Sequence, residues 1–155
     1  MKRLVSVLAL VLAAAVLTTV AGAATSALTR AQYLAKLRAA NAASSKVDDA
    51  ASAAAGSKKS SPTQVKSSLM AMGREHVRIG HEFAALAPPT RAVKANKAFA
   101  HAEVVFGQQN EEIAARMPTK SRAAMLRYLQ SLKPPSGGQM LDRAIAELHA
   151  AGFKI

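Results

Sequence analysis

The segment between residues 62 and 87 carries the pattern that most restricts the fold of this chain. Apolar side chains and one histidine recur there at alternating intervals of four and three residues: Val65, Leu69, Met72, His76, Ile79, Phe83 and Leu86. This spacing is typical of one face of an α-helix that packs lengthwise on a neighbouring helix. Two prolines, Pro88 and Pro89, end the pattern. Since no extended segment alternates with the two-residue period of a β-strand, the sequence predicts an all-α protein.

Start and stop signals divide the chain into about five helices. Thr29 and Ser61 each precede a glutamine by three residues, which predicts capping boxes at the starts of the first and second helices. Thr90 is predicted to cap the third helix, and the fourth is predicted to begin near Thr119. Glycine, serine or proline separates the helices, at residues 56–61, 88–89, 117–118 and 134–138. Short connections place consecutive helices antiparallel, so we expect an up-and-down bundle.

The burial expected in the last two helices follows from the same periodicity. The apolar face of the fourth helix is formed by Met125, Leu126, Leu129 and Leu132, and that of the last helix by Leu141, Ile145 and Leu148. Gly152 lies where a left-handed helix cap belongs. Phe153, the next residue, is expected to fold back on Leu148 in a Schellman motif.

The N-terminal residues have the three parts of a secretory signal. Lys2 and Arg3 precede an apolar run over residues 4–20, and Ala21-Gly22-Ala23 is a small-x-small cleavage site. We therefore expect residues 1–23 to be a cleaved signal peptide and residues 24–155 to form a single helical-bundle domain, secreted or otherwise extracytoplasmic. The alternative is an uncleaved membrane anchor, because the apolar run approaches the length that spans a bilayer.

Composition indicates which partners and chemistries to expect. The chain has no cysteine, which excludes thiol catalysis, disulfides, thiolate metal sites and a lipoprotein anchor. Its formal charge is +12, and loss of the signal peptide would leave 19 basic residues against nine acidic ones, a net charge of +10. Such a balance favours anionic partners. Nucleic acid is not expected, because aromatic residues, which stack on single-stranded bases, make up only 4% of the chain.

Three short motifs carry a resemblance. They are the helix start at residues 28–33 (Leu-Thr-Arg-Ala-Gln-Tyr), the two-proline hinge at residues 83–89, and a closing Ala144, Leu148 and Gly152 pattern that ends at Ile155. In this order, the motifs resemble a loosely defined set of exported, Ala-rich helical proteins of high-GC bacteria. Many of those proteins carry cysteines in the first helix, so the resemblance implies no disulfide or redox role here. It implies an exported helical architecture and no particular activity.

A polar layer is expected inside the bundle. Folding the second and third helices together about the two prolines places His76 at the level of residues 101–103, where Glu103 shares a face with Phe99 and Phe106. A buried histidine and a buried carboxylate would satisfy each other. Two interpretations follow: a polar pair that sets the helix register, or a metal or small-ligand site formed by His76, His101 and Glu103. The Glu-x-x-His spacing of di-iron bundles is absent.

The usual constellations of enzyme active sites are missing from the sequence. No Gly-x-Ser-x-Gly, Ser-x-x-Lys or His-Glu-x-x-His motif occurs. The adjacent acidic pairs Asp48-Asp49 and Glu111-Glu112 each point in two directions on a helix, which predicts solvated surface rather than paired catalytic carboxylates. We therefore expect neither an enzyme nor a bound cofactor.

Cations at the helix starts are the last unusual feature. Helix N-termini normally attract acidic residues, because the helix dipole is positive there. The first four helices instead begin with Lys or Arg nearby, and in an up-and-down bundle the second and fourth start at the same end. We expect that end to form an anion-binding surface with the following residues: Lys58, Lys59, Lys66, Lys120 and Arg122. A smaller patch at the opposite end would hold Arg30, Arg91 and Lys94.

These observations favour a secreted, non-enzymatic helical protein that associates through this basic surface with an anionic envelope polymer or a membrane surface. The alternative is a small-ligand or metal-binding bundle that uses the buried His/Glu layer. Nothing in the sequence specifies an oligomeric state.

Overall fold

The computed structural model of the protein describes residues 26–154, and the predicted signal peptide at residues 1–23 lies outside this range. Five α-helices and no strand occur within it. They are α1 (Arg30–Gly56), α2 (Pro62–Ala84), α3 (Val93–Arg116), α4 (Arg122–Ser131) and α5 (Ser136–Ala150). A 3₁₀ turn over Thr90–Ala92 leads into α3. Along residues 26–154, no helix is long and apolar enough to cross a membrane.

Four of the helices form the up-and-down bundle, and the all-α prediction is confirmed. α2 packs along α1 on one side and along α3 on the other, and α5 packs along α3. α4 is short and lies at one end, where its buried Met125 contacts Val65 of α2 and Met117. The predicted fourth helix is therefore present, but it closes one end of the bundle instead of running along it.

The main core lies at the other end and is built around aromatic rings. Tyr33 of α1 packs edge-on against Phe83 of α2 and Phe153 of the C-terminal segment, with ring centroids 6.1 and 5.1 Å apart, and Phe83 packs against Phe99 of α3 at 5.0 Å. The Tyr33 hydroxyl donates to Oδ1 of Asn96 (2.9 Å), and the amide of Asn96 donates to the carbonyl oxygen of Phe83 (2.8 Å). The buried polar groups in this core are therefore satisfied.

α2 and α3 approach each other most closely where glycines face the partner helix. A Cβ atom added to Gly73 would lie 2.7 Å from the carbonyl oxygen of Gly107, and one added to Gly80 would lie 2.7 Å from that of Ala100. Both distances are shorter than a carbon–oxygen contact allows. Gly73 and Gly80 are seven residues apart, as are Ala100 and Gly107, so small residues recur along the helix contact and set its register.

Several predicted helix caps are confirmed. Thr29 with Gln32 and Ser61 with Gln64 form the two capping boxes, and Pro62 is the first residue of α2. At the C-terminus, Gly152 has a φ of 90°. The amide of Phe153 donates to the carbonyl oxygen of Leu148 (2.9 Å) and that of Gly152 to His149 (2.9 Å), which is the Schellman motif.

Other predicted boundaries are wrong. Thr90 does not cap α3 with its side chain, because residues 90–92 form the 3₁₀ turn and α3 begins only at Val93. α4 begins at Arg122 rather than near Thr119, with the Ser121 hydroxyl accepting from the amide of Ala124. Leu126 is more than a third exposed, because the short α4 buries only Met125 fully.

Candidate functional site

The basic end of the bundle is where the α1–α2 and α3–α4 loops meet. The guanidinium of Arg122 donates to the carbonyl oxygen of Ser60 (2.9 Å) and to that of Ala55 near the end of α1 (3.4 Å). The Lys66 ammonium donates to the carbonyl oxygen of Ala115, near the end of α3 (3.1 Å). The structure therefore brings the α2 and α4 starts together, as the sequence predicts.

These bonds also give a structural reason for cations at helix starts. In an antiparallel bundle, the N-terminus of one helix lies beside the C-terminus of its neighbour, whose last carbonyl groups lack partners within their own helix. A cation there satisfies those carbonyls and complements the negative end of the neighbour's dipole. Arg30 follows the same rule at the opposite end, donating to the carbonyl oxygen of Gly152 (3.0 Å). Arg30, Lys66 and Arg122 therefore each have a structural role at a helix end.

The other predicted anion-binding residues, Lys58, Lys59 and Lys120, are exposed. Each lies in one of the two loops that Arg122 joins, and none is within ion-pair distance of an acidic group of residues 26–154. Their ammonium groups are thus available to a partner, whereas the Lys66 ammonium and the Arg122 guanidinium already donate to backbone carbonyls.

Sequence reasoning missed a broader feature of this end, which is that acidic residues are excluded from it. Residues 50–74 and 113–141 contain no Asp or Glu, while all nine acidic residues of the chain lie elsewhere. Nine basic residues occupy these two stretches: Lys58, Lys59, Lys66, Arg74, Arg116, Lys120, Arg122, Arg127 and Lys133. We call the surface formed by the two stretches the basic end. In the sequence, this feature is visible as two long runs without Asp or Glu.

Ion pairs elsewhere reinforce this segregation. Glu75 and Glu82 bind Arg78, Glu82 also binds Lys36, and Glu112 binds Arg116. Of these pairs, only that of Arg116 involves the basic end. The positive potential of the remaining cations there is therefore little offset by nearby carboxylates.

A second polar site lies in the middle of the bundle and is centred on His76. Nδ1 of this residue lies 2.5 Å from Oε2 of Glu103 on α3, and Nε2 lies 3.0 Å from Oδ1 of Asp48 on α1. The predicted pairing of His76 with Glu103 is confirmed. Asp48, which the sequence placed on solvated surface, is instead the third member. We call these three residues the His76 layer.

Burial and hydrogen bonding act in opposite directions on His76. Burial alone would lower its pKa, because the ring is removed from water, but the hydrogen bonds and the charges of Asp48 and Glu103 raise the pKa to about 9. The imidazole is therefore protonated at neutral pH and donates from both nitrogens. Phe106 packs against the ring, with centroids 4.6 Å apart and planes nearly perpendicular. No buried side-chain nitrogen or oxygen in the described part of the chain lacks a hydrogen-bond partner.

Of the two interpretations of the polar layer, the metal site formed by His76, His101 and Glu103 is not assembled. His101 is exposed on α3 and lies away from the layer, because its side chain points to the opposite side of the helix from Glu103. Both nitrogens of His76 are occupied by carboxylates, so neither has a lone pair for a metal ion. Within residues 26–154, no group of three or more His, Asp or Glu side chains is arranged to hold a metal.

No protein-family model, curated protein or solved structure matches this chain. The resemblance to exported Ala-rich helical proteins stays a prediction, and the chain's own geometry is the basis for assigning a function.

Proposed function

We propose that this protein is an exported, non-enzymatic helical bundle that associates through its basic end with an anionic component of the cell envelope, either a polymer or a membrane surface. The observation that carries the proposal is the exclusion of acidic residues from two stretches that the fold brings together, residues 50–74 and 113–141.

The arrangement of cations favours an extended polyanion or a charged surface over a small ion. Lys58, Lys59 and Lys120 are exposed on loops, and their flexible ammonium groups are point charges without a shaped cavity around them. Several such charges facing one polyanion add their attractions, and salt screens them beyond about 8 Å at physiological ionic strength. Binding should therefore weaken steeply as salt rises.

Nucleic acid fits this surface less well. Tyr128 is the only aromatic residue in the two acid-free stretches, and its hydroxyl donates to the carbonyl oxygen of Ile113 while its ring packs in the small core near Val65. It is therefore not free to stack on a base.

The non-enzymatic part of the proposal is supported by the His76 layer. His76 is 1% exposed, and both of its nitrogens are held by carboxylates. A substrate could not reach it without opening the bundle, so the layer is better suited to holding α1, α2 and α3 in register.

The test is a comparison of two charge-reversal variants with the same net charge. The first changes Lys58, Lys59 and Lys120 to Glu, leaving the structural cations Lys66 and Arg122 in place. The control changes Arg91, Lys94 and Lys154, exposed at the other end, to Glu. Co-sedimentation with phosphatidylglycerol vesicles and with insoluble cell-wall material that carries teichoic acid, measured over a range of salt concentrations, reports binding to the two kinds of partner.

We expect the first variant to lose binding and the control to keep most of it. Equal losses in both variants would mean that net charge alone drives association, and unchanged binding in the first would remove the basic end from the interaction. Either result would overturn the proposal. Circular dichroism of both variants checks that the bundle remains folded.

A further inference from the structure

A groove with an apolar lining lies at the opposite end of the bundle from the basic end. It runs between the turn after α2 and the first three turns of α3, and its volume is about 510 Å³. The apolar residues that line it include Leu86, Pro88, Val93, Ala100 and Val104. This volume falls within the range of sites that bind small apolar ligands.

Val93 makes the groove unlike the rest of the surface. Its side chain is 54% exposed, and Leu126 on α4, at 36%, is the only other large hydrophobic residue so exposed among residues 26–154. A single exposed apolar side chain is ordinary, but Val93 lines the same groove as Leu86, Pro88 and Val104.

The charges around the groove have one sign. Lys97 and His101 line it and stand one helical turn apart on the exposed side of α3, so their N–H donors can reach the same anion. No acidic residue lines the groove. Arg91 and Lys94, exposed just before Lys97, add further positive charge. The groove is thus complementary to a ligand with an apolar body and a negatively charged end.

The polar groups of the lining argue against a peptide as the occupant. Asn96 carries the only side-chain amide there, and it is already bonded to Phe83 and Tyr33. An extended peptide would bury its own backbone donors and acceptors without partners, which is unfavourable. An acyl chain has no such groups.

We propose that this groove binds a single fatty acid. The acyl chain lies against Leu86, Pro88 and Val93, and the carboxylate accepts hydrogen bonds from Lys97 and His101. This site is separate from the basic end, and neither proposal depends on the other.

The test is isothermal titration calorimetry of the purified protein with laurate below its critical micelle concentration. Two further ligands separate the contributions of head and tail, because dodecanol has the same chain without the charge and butyrate has the same carboxylate with a short chain. We expect laurate to bind with one-to-one stoichiometry, dodecanol to bind about tenfold more weakly, and butyrate not to bind detectably.

Two variants locate the site, and a third serves as the control. Val93→Asp places a carboxylate in the groove at the first residue of α3, where an acidic side chain is compatible with the helix. Lys97→Met removes the anchoring cation. Leu126→Asp makes the same kind of change as Val93→Asp at the other exposed hydrophobic residue.

We expect Val93→Asp and Lys97→Met each to weaken laurate binding about tenfold or more, and Leu126→Asp to leave it unchanged. The proposal is overturned if laurate does not bind, if dodecanol binds as tightly as laurate, or if Leu126→Asp weakens binding as much as Val93→Asp. Loss of laurate binding on reversal of Lys58, Lys59 and Lys120 would also overturn it, because it would place the ligand at the basic end.

Discussion

Nδ1 of His76 lies 2.5 Å from Oε2 of Glu103, inside the contact between α2 and α3. Both residues are almost completely buried, at 1% and 2% exposure. A protonated imidazole and a carboxylate at this distance form a charge-assisted hydrogen bond, which is stronger than one between neutral groups. Any sliding of α3 along α2 would break this bond and leave two charged groups buried without partners, so the pair specifies a single register.

The first prediction concerns pH. In the folded protein, the carboxylates of Asp48 and Glu103 overcome the effect of burial and raise the pKa of His76 to about 9, compared with 6.5 for an unperturbed histidine. The folded state therefore holds this proton more tightly than the unfolded state. The stabilisation is complete below pH 6.5 and is lost as the pH rises from there through about 9. We expect the free energy of unfolding to fall by about 3 kcal/mol over this window.

Urea denaturation at a series of pH values measures this change, and two histidine variants isolate its source. His76→Gln should abolish the pH dependence, whereas His101→Gln should retain it, because His101 is exposed and belongs to no buried pair. A wild-type protein with constant stability between pH 6.5 and 9 would show that His76 is not held protonated.

The second prediction separates the two carboxylates of the His76 layer. Glu103→Leu leaves the buried imidazolium with one partner and should destabilise the protein by about 3 kcal/mol. Asp48→Ala should cost about 1 kcal/mol or less, because the Asp48 side chain is 42% exposed and water can replace it. Thermal and urea denaturation of the two variants compare these losses directly.

A double variant tests whether the buried ion pair of the His76 layer adds stability or only selects one register of the helices. His76→Leu alone strands Glu103, but His76→Leu with Glu103→Leu replaces the buried ion pair by apolar side chains and should recover most of the stability lost in either single variant. If the two losses simply add, the residues do not act as a pair.

The contact between His76 and Glu103 could be predicted from the sequence. The register of α2 against α3 and the third residue of the His76 layer, Asp48, could not. Folding the chain about Pro88 and Pro89 places Gly73 opposite residue 104, but the structure places it opposite Gly107, three residues further along. α2 ends at Ala84 and α3 begins at Val93, equally far from the two prolines, so the path of the connection, and not its midpoint in the sequence, sets the register. His101 lies outside the layer because its side chain points to the opposite side of α3 from that of Glu103.

Asp48 was missed for a different reason. Adjacent acidic residues on a helix point in two directions, and periodicity alone cannot show which of them meets a buried partner on another helix. The position of α1 along α2 is set instead by Tyr33 against Phe83 and by the bond from the amide of Leu28 to the carbonyl oxygen of Ala87 (2.7 Å). These are tertiary contacts, and no local pattern in α1 specifies them.

The third prediction concerns the close approach of α2 and α3. Gly80→Ala would place a methyl group 2.7 Å from the carbonyl oxygen of Ala100, so the helices must separate. We expect a loss of about 1–3 kcal/mol in the free energy of unfolding.

Gly56→Ala is the matched control, because a Cβ there meets nothing within 4 Å. Since it reduces only the freedom of the unfolded chain, it should leave stability unchanged or raise it by about 0.5 kcal/mol. Similar effects of the two substitutions on urea denaturation would contradict close packing at Gly80.

The fourth prediction separates structural from partner-facing cations at the basic end. Arg122 donates to the carbonyl oxygens of Ser60 and Ala55, while Lys120, two residues earlier, is exposed and makes no such bond among the described residues. Arg122→Met keeps much of the apolar length of the side chain but removes these donors. We expect it to destabilise the protein by about 1–2 kcal/mol, with faster amide hydrogen exchange in α4, because α4 is anchored otherwise mainly by Met125 and Tyr128.

Lys120→Met should have the opposite profile, because its ammonium group supports no other part of the fold. Its stability and α4 exchange rates should match those of the wild type, while its binding to anionic vesicles or polymers should decrease. Arg122→Met should show the reverse: a clear loss of stability, and only a small loss of binding to anionic vesicles or polymers when it is assayed below its melting transition. If Lys120→Met destabilises α4 as much as Arg122→Met does, the division of the basic end into structural and partner-facing cations is wrong.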